Sequence, residues 1–282
     1  MADLPTPAAP DPGVALALGA AFLGVYAHGG FLCGLNQAGI FPGHIAGASA
    51  GALAAGFYAA GMRGADLENA VLSGALKRSF PDIGMFFRGA PMFFIGRLTG
   101  LMNGKRVIQH LKRELPMSMI EESSDVKLSI AVTDLRNQRS AFLTSGPLAE
   151  SMMASCSVPI LFTEQSLDGT KYHDGGILHG LPVEPFIHDP AIHTIIVHRL
   201  SHPNGKCRKN LGVSAAFADS HQMLNDALFE FRRKDCERNG KRVIVIETEH
   251  PSPGLFQTKA AKKRFFDDGY SSGLGIKPQS SL

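Results

Sequence analysis

Apolar positions crowd the N-terminal part of the chain, but their spacing fits neither one long helix nor a membrane span. From Pro12 to Met62 there is no Asp, Glu, Lys or Arg, yet twelve glycines, Pro42, Asn36, Gln37 and two histidines interrupt the run. Short apolar pieces between turns suit strands buried on both faces of a parallel sheet. A bilayer would require about 20 unbroken apolar residues. The pattern predicts a strand over Val14–Gly19 and a helix from His28 to Ala38 that stops at Gly39. A strand near His44–Ala46 follows, then a helix from Ala50 to Ala60 ended by Gly61, a residue suited to a helix C-cap. Strand, helix, strand, helix in this order is the pattern of βαβ units and a parallel sheet with helices on its faces.

Farther along, Arg63–Phe80 and Lys105–Glu114 read as helices of mixed charge, and Leu148–Cys156 as a short helix before Pro159. Lys127–Asp134 has the pattern of a strand, with Ser140–Thr144 as its hairpin partner beyond a turn at Asn137. Between Ile83 and Met102 the triplet M-F-F occurs twice, and Pro91 argues against one continuous helix there. That segment is either core or a Met- and Phe-rich lip over an apolar groove, formed by Phe86, Phe87, Phe93 and Phe94. Thr194–Val197 and Val243–Ile246 read as strands, and Ser214–Arg238 as a long helix. Residues 1–12 read as a disordered leader without the basic start of a secretory signal. Residues 13–274 read as one α/β domain and 275–282 as a frayed tail.

Composition narrows the function classes. At 282 residues and 44% hydrophobic content, the chain can bury one large core or two modest ones. Cys33, Cys156, Cys207 and Cys236 form no C-x-x-C pair, the pattern of reduced thiols in a cytosol. Eleven histidines never fall into a metal-ligand spacing, so neither a metal nor any other cofactor is expected. Charge is uneven: Arg199–Arg264 has fourteen Lys and Arg against seven Asp and Glu, a local +7 in a chain of +3. Such a region is either a solvated helical face or a peripheral contact with an anionic membrane. Nucleic acid is not expected as a partner, because no reader motif accompanies the charge.

Two stretches carry chemistry. Ile45–Leu53 reads I-A-G-A-S-A-G-A-L, a G-x-S-x-G element that presents Ser49 on a tight strand-to-helix turn. Gly47 and Gly51 flank it because a Cβ would collide with neighbouring backbone. The following helix start aims the Ala50 N–H where an oxyanion would develop. The plain alternative is a small-residue turn packing a helix on a strand. In the second stretch, Asp174 precedes Gly175 and Gly176, an acid at the end of a short strand where backbone can approach closely. Its plain alternative is an ordinary D-G turn.

Together with A-S-C-S-V-P at Ala154–Pro159, L-P-V at Leu181–Val183 and V-T-D at Val132–Asp134, these motifs resemble the patatin-like phospholipases. The resemblance runs from about Val14 to His188 and is loose beyond. It implies a three-layer α/β/α fold with a mainly parallel central sheet, and hydrolysis of lipid or other fatty-acyl esters by a Ser–Asp dyad. Carried over, Ser49 is the nucleophile and Asp174 the base. A carboxylate has a reference pKa of about 3.9, so it must sit close and partly desolvated to take the serine proton. The family's oxyanion loop G-G-G-x-R-G departs here. Its glycines fall on Ala20, Ala21 and Phe22 and its arginine on Gly24, while His28 and Gly30 match the H-x-G that follows. Backbone donors survive those replacements.

Three other readings compete. His28–Phe31 reads H-G-G-F, like the oxyanion motif of α/β-hydrolase lipases, with a triad ending at His198 or His202. Too few residues separate it from Ser49 for that fold's intervening elements. Nucleotide binding lacks both G-x-G-x-x-G and a P-loop lysine. A catalytically degenerate lipid-binding or scaffold protein is the third, suggested by the altered loop.

Overall fold

The computed structural model describes residues 9–81, 100–201, 213–249 and 257–276, with side chains from residue 220 onward in the helix that starts at Val213. Strand β1 (Asp11–Leu18) leads through a loop to helix α1 (Val25–Gln37), strand β2 (Pro42–Gly47) and helix α2 (Ala50–Ala59). Helices α3 (Gly64–Leu72) and α4 (Gly74–Ser79) follow, then β3 (Gly100–Met102) and α5 (Lys105–Glu114). Next come β4 (Lys127–Asp134), β5 (Arg139–Leu143), α6 (Leu148–Ser155), and the short strands β6 (Ile160–Phe162), β7 (Gln165–Leu167) and β8 (Thr170–Asp174). The chain continues through β9 (Thr194–Ser201), α7 (Val213–Arg238), β10 (Arg242–Glu249) and α8 (Lys259–Leu274).

The main sheet runs β10-β9-β1-β2-β4-β8-β7, with β5 added on β4. Its first five strands are mutually parallel, while β5, β7 and β8 form antiparallel pairs. The run without charges becomes intelligible at β1, whose inner residues are buried on both faces. Val14, Leu16 and Leu18 pack into a core with residues of α1 and α2, whereas Ala15 and Ala17 join Phe229 and Cys236 of α7 on the other side. Two apolar layers sandwich the sheet, giving an α/β/α protein. Outside this core, α8 lies against α1 so closely that a Cβ on Gly30 or Gly269 would overlap the partner helix's backbone.

Some boundaries differ from the sequence expectation. β1 begins at Asp11, inside the stretch assigned to the leader, because Asp11 pairs with Pro42. The helix expected over Arg63–Phe80 is two helices, broken where Ser73 turns extended (φ −51°, ψ 125°) and caps α4 by accepting from the Ala75 N–H. The Met/Phe lip with Phe86, Phe87, Phe93 and Phe94 lies outside the described residues, as does most of the expected tail. Among the described residues no helix is long and apolar enough to cross a membrane.

Candidate active site

Sheet pairing explains how Ser49 and Asp174, far apart in sequence, come together. A strand has two edges, and β5 occupies one edge of β4 from Ile130 to Asp134. β2 pairs with β4 as far as Gly47↔Ile130, and β8 pairs with it from Val132↔Asp174. β2 and β8 therefore succeed one another along the same edge of β4. Because β2 is parallel and β8 antiparallel to β4, their last residues meet head-on. The serine turn starts immediately beyond the end of β2, and Asp174 is the end of β8.

Ser49 sits at φ 54°, ψ −120°, a strained conformation for a residue with a side chain. The turn tolerates nothing larger than glycine at its flanks. A Cβ on Gly47 would lie 2.5 Å from the Gly51 carbonyl oxygen, and one on Gly51 would overlap the Leu18 carbonyl. Two residues at the end of α6 hold the strained turn, and the next holds the acid. The Ser49 N–H donates to Ser155 Oγ (2.9 Å), which in turn donates to the Ala131 carbonyl of β4 (2.7 Å). The Cys156 thiol donates to the Ser49 carbonyl (3.2 Å). The Ser157 carbonyl accepts from the Asp174 N–H (3.1 Å) and meets His173 Nδ1 (3.0 Å). One short segment thus braces the serine and the acid together. Nothing in the spacing of A-S-C-S assigned these residues that role.

Asp174 is 4% exposed. Burial pushes its carboxyl up from the ordinary 3.8 to about 7, while hydrogen bonding from the Ser49 hydroxyl and the Gly176 N–H pulls it back. Oδ1 accepts from the Gly176 N–H at 2.6 Å, within the turn Gly175–Ile177 that Asp174 caps. Oδ2 is buried and has no partner at full hydrogen-bond geometry. The serine hydroxyl is near enough to act on the acid without being locked to it. Gly175 packs directly on the Ala131 backbone. Cys156 also lies near, but burial and then the Asp174 charge push its thiol well above the usual range, which keeps it protonated.

The loop from Gly19 to Gly24 is clamped rather than open. The Ala20 N–H donates to the Gly180 carbonyl (2.7 Å), and Gly180 is anchored by its own N–H to Asn225 Oδ1 on α7 (2.8 Å). Ala20, expected as an oxyanion donor, is therefore committed to a structural bond. Ala20, Ala21 and Phe22 keep negative φ, and the backbone strain falls on Leu23 at φ 55°. Among the described residues the N–H groups of Ala21 and Ala50 make no hydrogen bond. Phe22 projects from this loop, 51% exposed. Ile160, beyond the A-S-C-S-V-P run, is 63% exposed and holds φ 74°, an unusual conformation for a β-branched residue.

The histidine alternative does not match this geometry. His28 Nε2 donates to the Gly19 carbonyl (2.8 Å), and its Nδ1 meets His198 Nδ1 (2.8 Å). His198 is fully buried, stacked on Phe31, with Nε2 on Thr248 Oγ1 (2.9 Å). Both of its nitrogens are engaged away from Ser49, on the support of the Gly19 peptide. His202 lies outside the described residues.

Ser155 offers a direct check on the bracing. Ser155→Ala leaves a buried N–H and a buried carbonyl without their partner, a cost of about 1–3 kcal/mol. The expected result is a lower melting temperature and a roughly tenfold drop in kcat on p-nitrophenyl butyrate, with KM little changed. An unaltered kcat would show that the serine turn holds itself.

A strained serine beyond the carboxyl end of parallel strand β2 thus faces a buried carboxyl that ends antiparallel strand β8. Residues 16–187 match the family model described as patatin-like phospholipase, and the chain belongs to that family. Uncharacterized NTE family proteins of Mycobacterium bovis and Mycobacterium tuberculosis are 27% identical over 240 residues, which is 80% of this chain. The chain spans 62% of the length of these relatives. The fold is similar to that of VipD from Legionella pneumophila (TM-score 0.50, 16% identity, 93% of this chain and 65% of that one). It is also similar to the type III effector protein ExoU (TM-score 0.50, 11% identity, 95% and 53%).

Proposed function

We propose that the protein hydrolyses fatty-acyl esters of lipids through an acyl-enzyme on Ser49, with Asp174 as general base. The observation that carries this reading is the head-on meeting of β2 and β8, which sets an elbow serine against an acid whose Oδ2 has no other partner. As the Ser49 oxygen attacks the ester carbonyl, its proton passes to Asp174 and the carbonyl oxygen gains the negative charge. The Ala50 N–H and the N-terminus of α2 stabilise that charge. Collapse of the tetrahedral intermediate expels the alcohol or lysolipid, which takes the proton from Asp174. Water then gives a proton to Asp174, attacks the acyl carbonyl and releases the fatty acid, and Ser49 recovers its proton. Exposed Phe22 and Ile160 support an apolar substrate, and the +7 charge of Arg199–Arg264 supports peripheral contact with an anionic membrane.

Incubation with a fluorophosphonate and mapping of the adduct tests this reading. The expected adduct is on Ser49, and wild-type protein that stays unlabelled and hydrolyses no ester would sink it. The occupied Ala20 N–H favours one rival, a degenerate lipid-binding or scaffold protein with an incomplete oxyanion hole. Two changes at Ala21 separate the readings. Ala21→Gly keeps the donor and should be tolerated with a small loss from added flexibility. Ala21→Pro removes the donor, and the expected drop in kcat is roughly 10²–10³. An active enzyme indifferent to the proline would place the second donor elsewhere.

A further inference from the structure

The start of α8 gathers polar groups that no protein group satisfies. Lys262 is 7% exposed, and among the described residues its side chain makes no ion pair and no hydrogen bond; its Nζ lies 5.3 Å from the centre of the Tyr26 ring. The contrast with its neighbours is informative. Lys263 reaches Glu68 (3.1 Å) and Asp267, and Arg264 reaches Asp268 (3.8 Å). The charges that act on Lys262 are instead Lys77 and Arg78, in the last turn of α4. Burial first, and then these two cations, push the Lys262 ammonium below the usual lysine value.

Three further features surround it. Tyr26 is 2% exposed and presents its ring to the Lys262 ammonium. Both amide atoms of Gln257 are buried and unpartnered, while its main-chain carbonyl accepts a long bond from Lys77 Nζ (3.5 Å). Thr258 caps α8 by accepting from the Ala261 N–H, leaving the N–H groups of Lys259 and Ala260 at the positive end of a 16-residue helix. A largely buried lysine beside two other cations is costly, and the unpartnered buried amide of Gln257 adds to that cost. Here the groups are mostly donors, and the charges are all positive. An oxyanion with several acceptor oxygens would satisfy both.

We propose that the N-terminus of α8, with Lys262, Tyr26, Gln257, Lys77 and Arg78, is a binding site for a phosphate group. Tyr26 lies in the first turn of α1, directly after the Gly19–Gly24 loop, so the site occupies the same end of the sheet as Ser49. A phosphate there is either the headgroup of a membrane lipid or a soluble phosphate ester. The proposal does not depend on the hydrolase reading, because its tests read binding rather than turnover.

Melting in sodium phosphate against sodium chloride of equal ionic strength tests the site. For wild type, phosphate at about a hundredfold above Kd should raise the melting temperature by roughly 5 °C more than chloride does. Lys262→Met keeps the apolar stem and drops the charge. It should melt at or above wild type in chloride and lose the extra phosphate response. Lys262→Gln serves as a second variant should methionine pack badly, and Lys77→Gln with Arg78→Gln should raise the phosphate Kd roughly tenfold. Flotation with phosphatidylcholine vesicles, with and without phosphatidylglycerol, separates the sources. Loss of binding to the anionic vesicles in Lys262→Met assigns the phosphate to a lipid headgroup; binding independent of Lys262 assigns it to a soluble ester. Phosphate that stabilises wild type no more than chloride, or Lys262→Met that responds like wild type, overturns the proposal.

Discussion

Ser49→Ala is expected to lower turnover of p-nitrophenyl esters by roughly 10⁴-fold or more, since no other group near the turn can take the acyl chain. The Cys156 thiol nearby is held protonated by burial and by Asp174, and the Ser155 hydroxyl is committed to the Ser49 N–H and the Ala131 carbonyl. Stability should change little. Alanine at φ 54° has the same strain as serine, and the Ser49 main-chain bonds to Ser155 and Cys156 do not involve the hydroxyl. Ser49→Gly makes a useful companion, because glycine accepts positive φ and relieves on the order of 1 kcal/mol of backbone strain. Both variants should be inactive, while only the glycine form has the strain removed. Retained activity in the alanine variant would falsify the acyl-enzyme mechanism.

Asp174→Asn has the second large effect, and pH gives it a distinctive signature. With the carboxyl at about 7, Asp174 holds its own proton at pH 5 and cannot accept one from Ser49. Hydrolysis by wild type should therefore rise with pH through about 7 and level off above. Asparagine keeps the shape but accepts no proton, so turnover should fall by roughly a hundredfold or more at pH 8. Stability runs the other way. A carboxyl whose pKa is raised on folding stabilises the native state fully below its unfolded value, and that contribution is lost as pH rises through the folded value. The window here is from about 4 to about 7. Above it, a carboxyl displaced from 3.8 to about 7 costs on the order of 4 kcal/mol. Asp174→Asn should accordingly melt higher than wild type at pH 8, with the difference shrinking toward pH 4. A rate profile flat from pH 5 to 9, or a variant less stable at pH 8, would remove Asp174 from the role of base.

Much of this protein is written locally. The run without charges between Pro12 and Met62, broken by twelve glycines, reads as buried strands and helices in preference to a membrane span, and β1, α1, β2 and α2 follow it closely. Gly47 is required by contacts inside the turn itself, where a Cβ would meet Gly51 and Ala52, so a short motif suffices to read the turn, although Gly51 is also held small by Leu18 of β1. Asp174 was legible as an acid ending a short strand for the same reason. The break at Ser73 was not, since a helix of mixed charge reads alike whether or not one serine interrupts it.

Tertiary structure decided how those pieces meet. Only the pairing of β4, with β5 on one edge and β2 and β8 in succession on the other, points Ser49 at Asp174. Ala20 had the backbone donor an oxyanion hole needs, yet Gly180 takes that donor from 160 positions away in the chain. His198 had the chemistry of a triad base, and its buried place beside His28 and Thr248 turned it to support of the loop instead. Lys262 is one lysine in a basic stretch, and only its burial over Tyr26 sets it apart from Lys263 beside it. The physical reason is common to all four. Side-chain type and local spacing are properties of the chain, whereas the partner of a given donor, and the water taken from a given charge, depend on elements brought together across the fold.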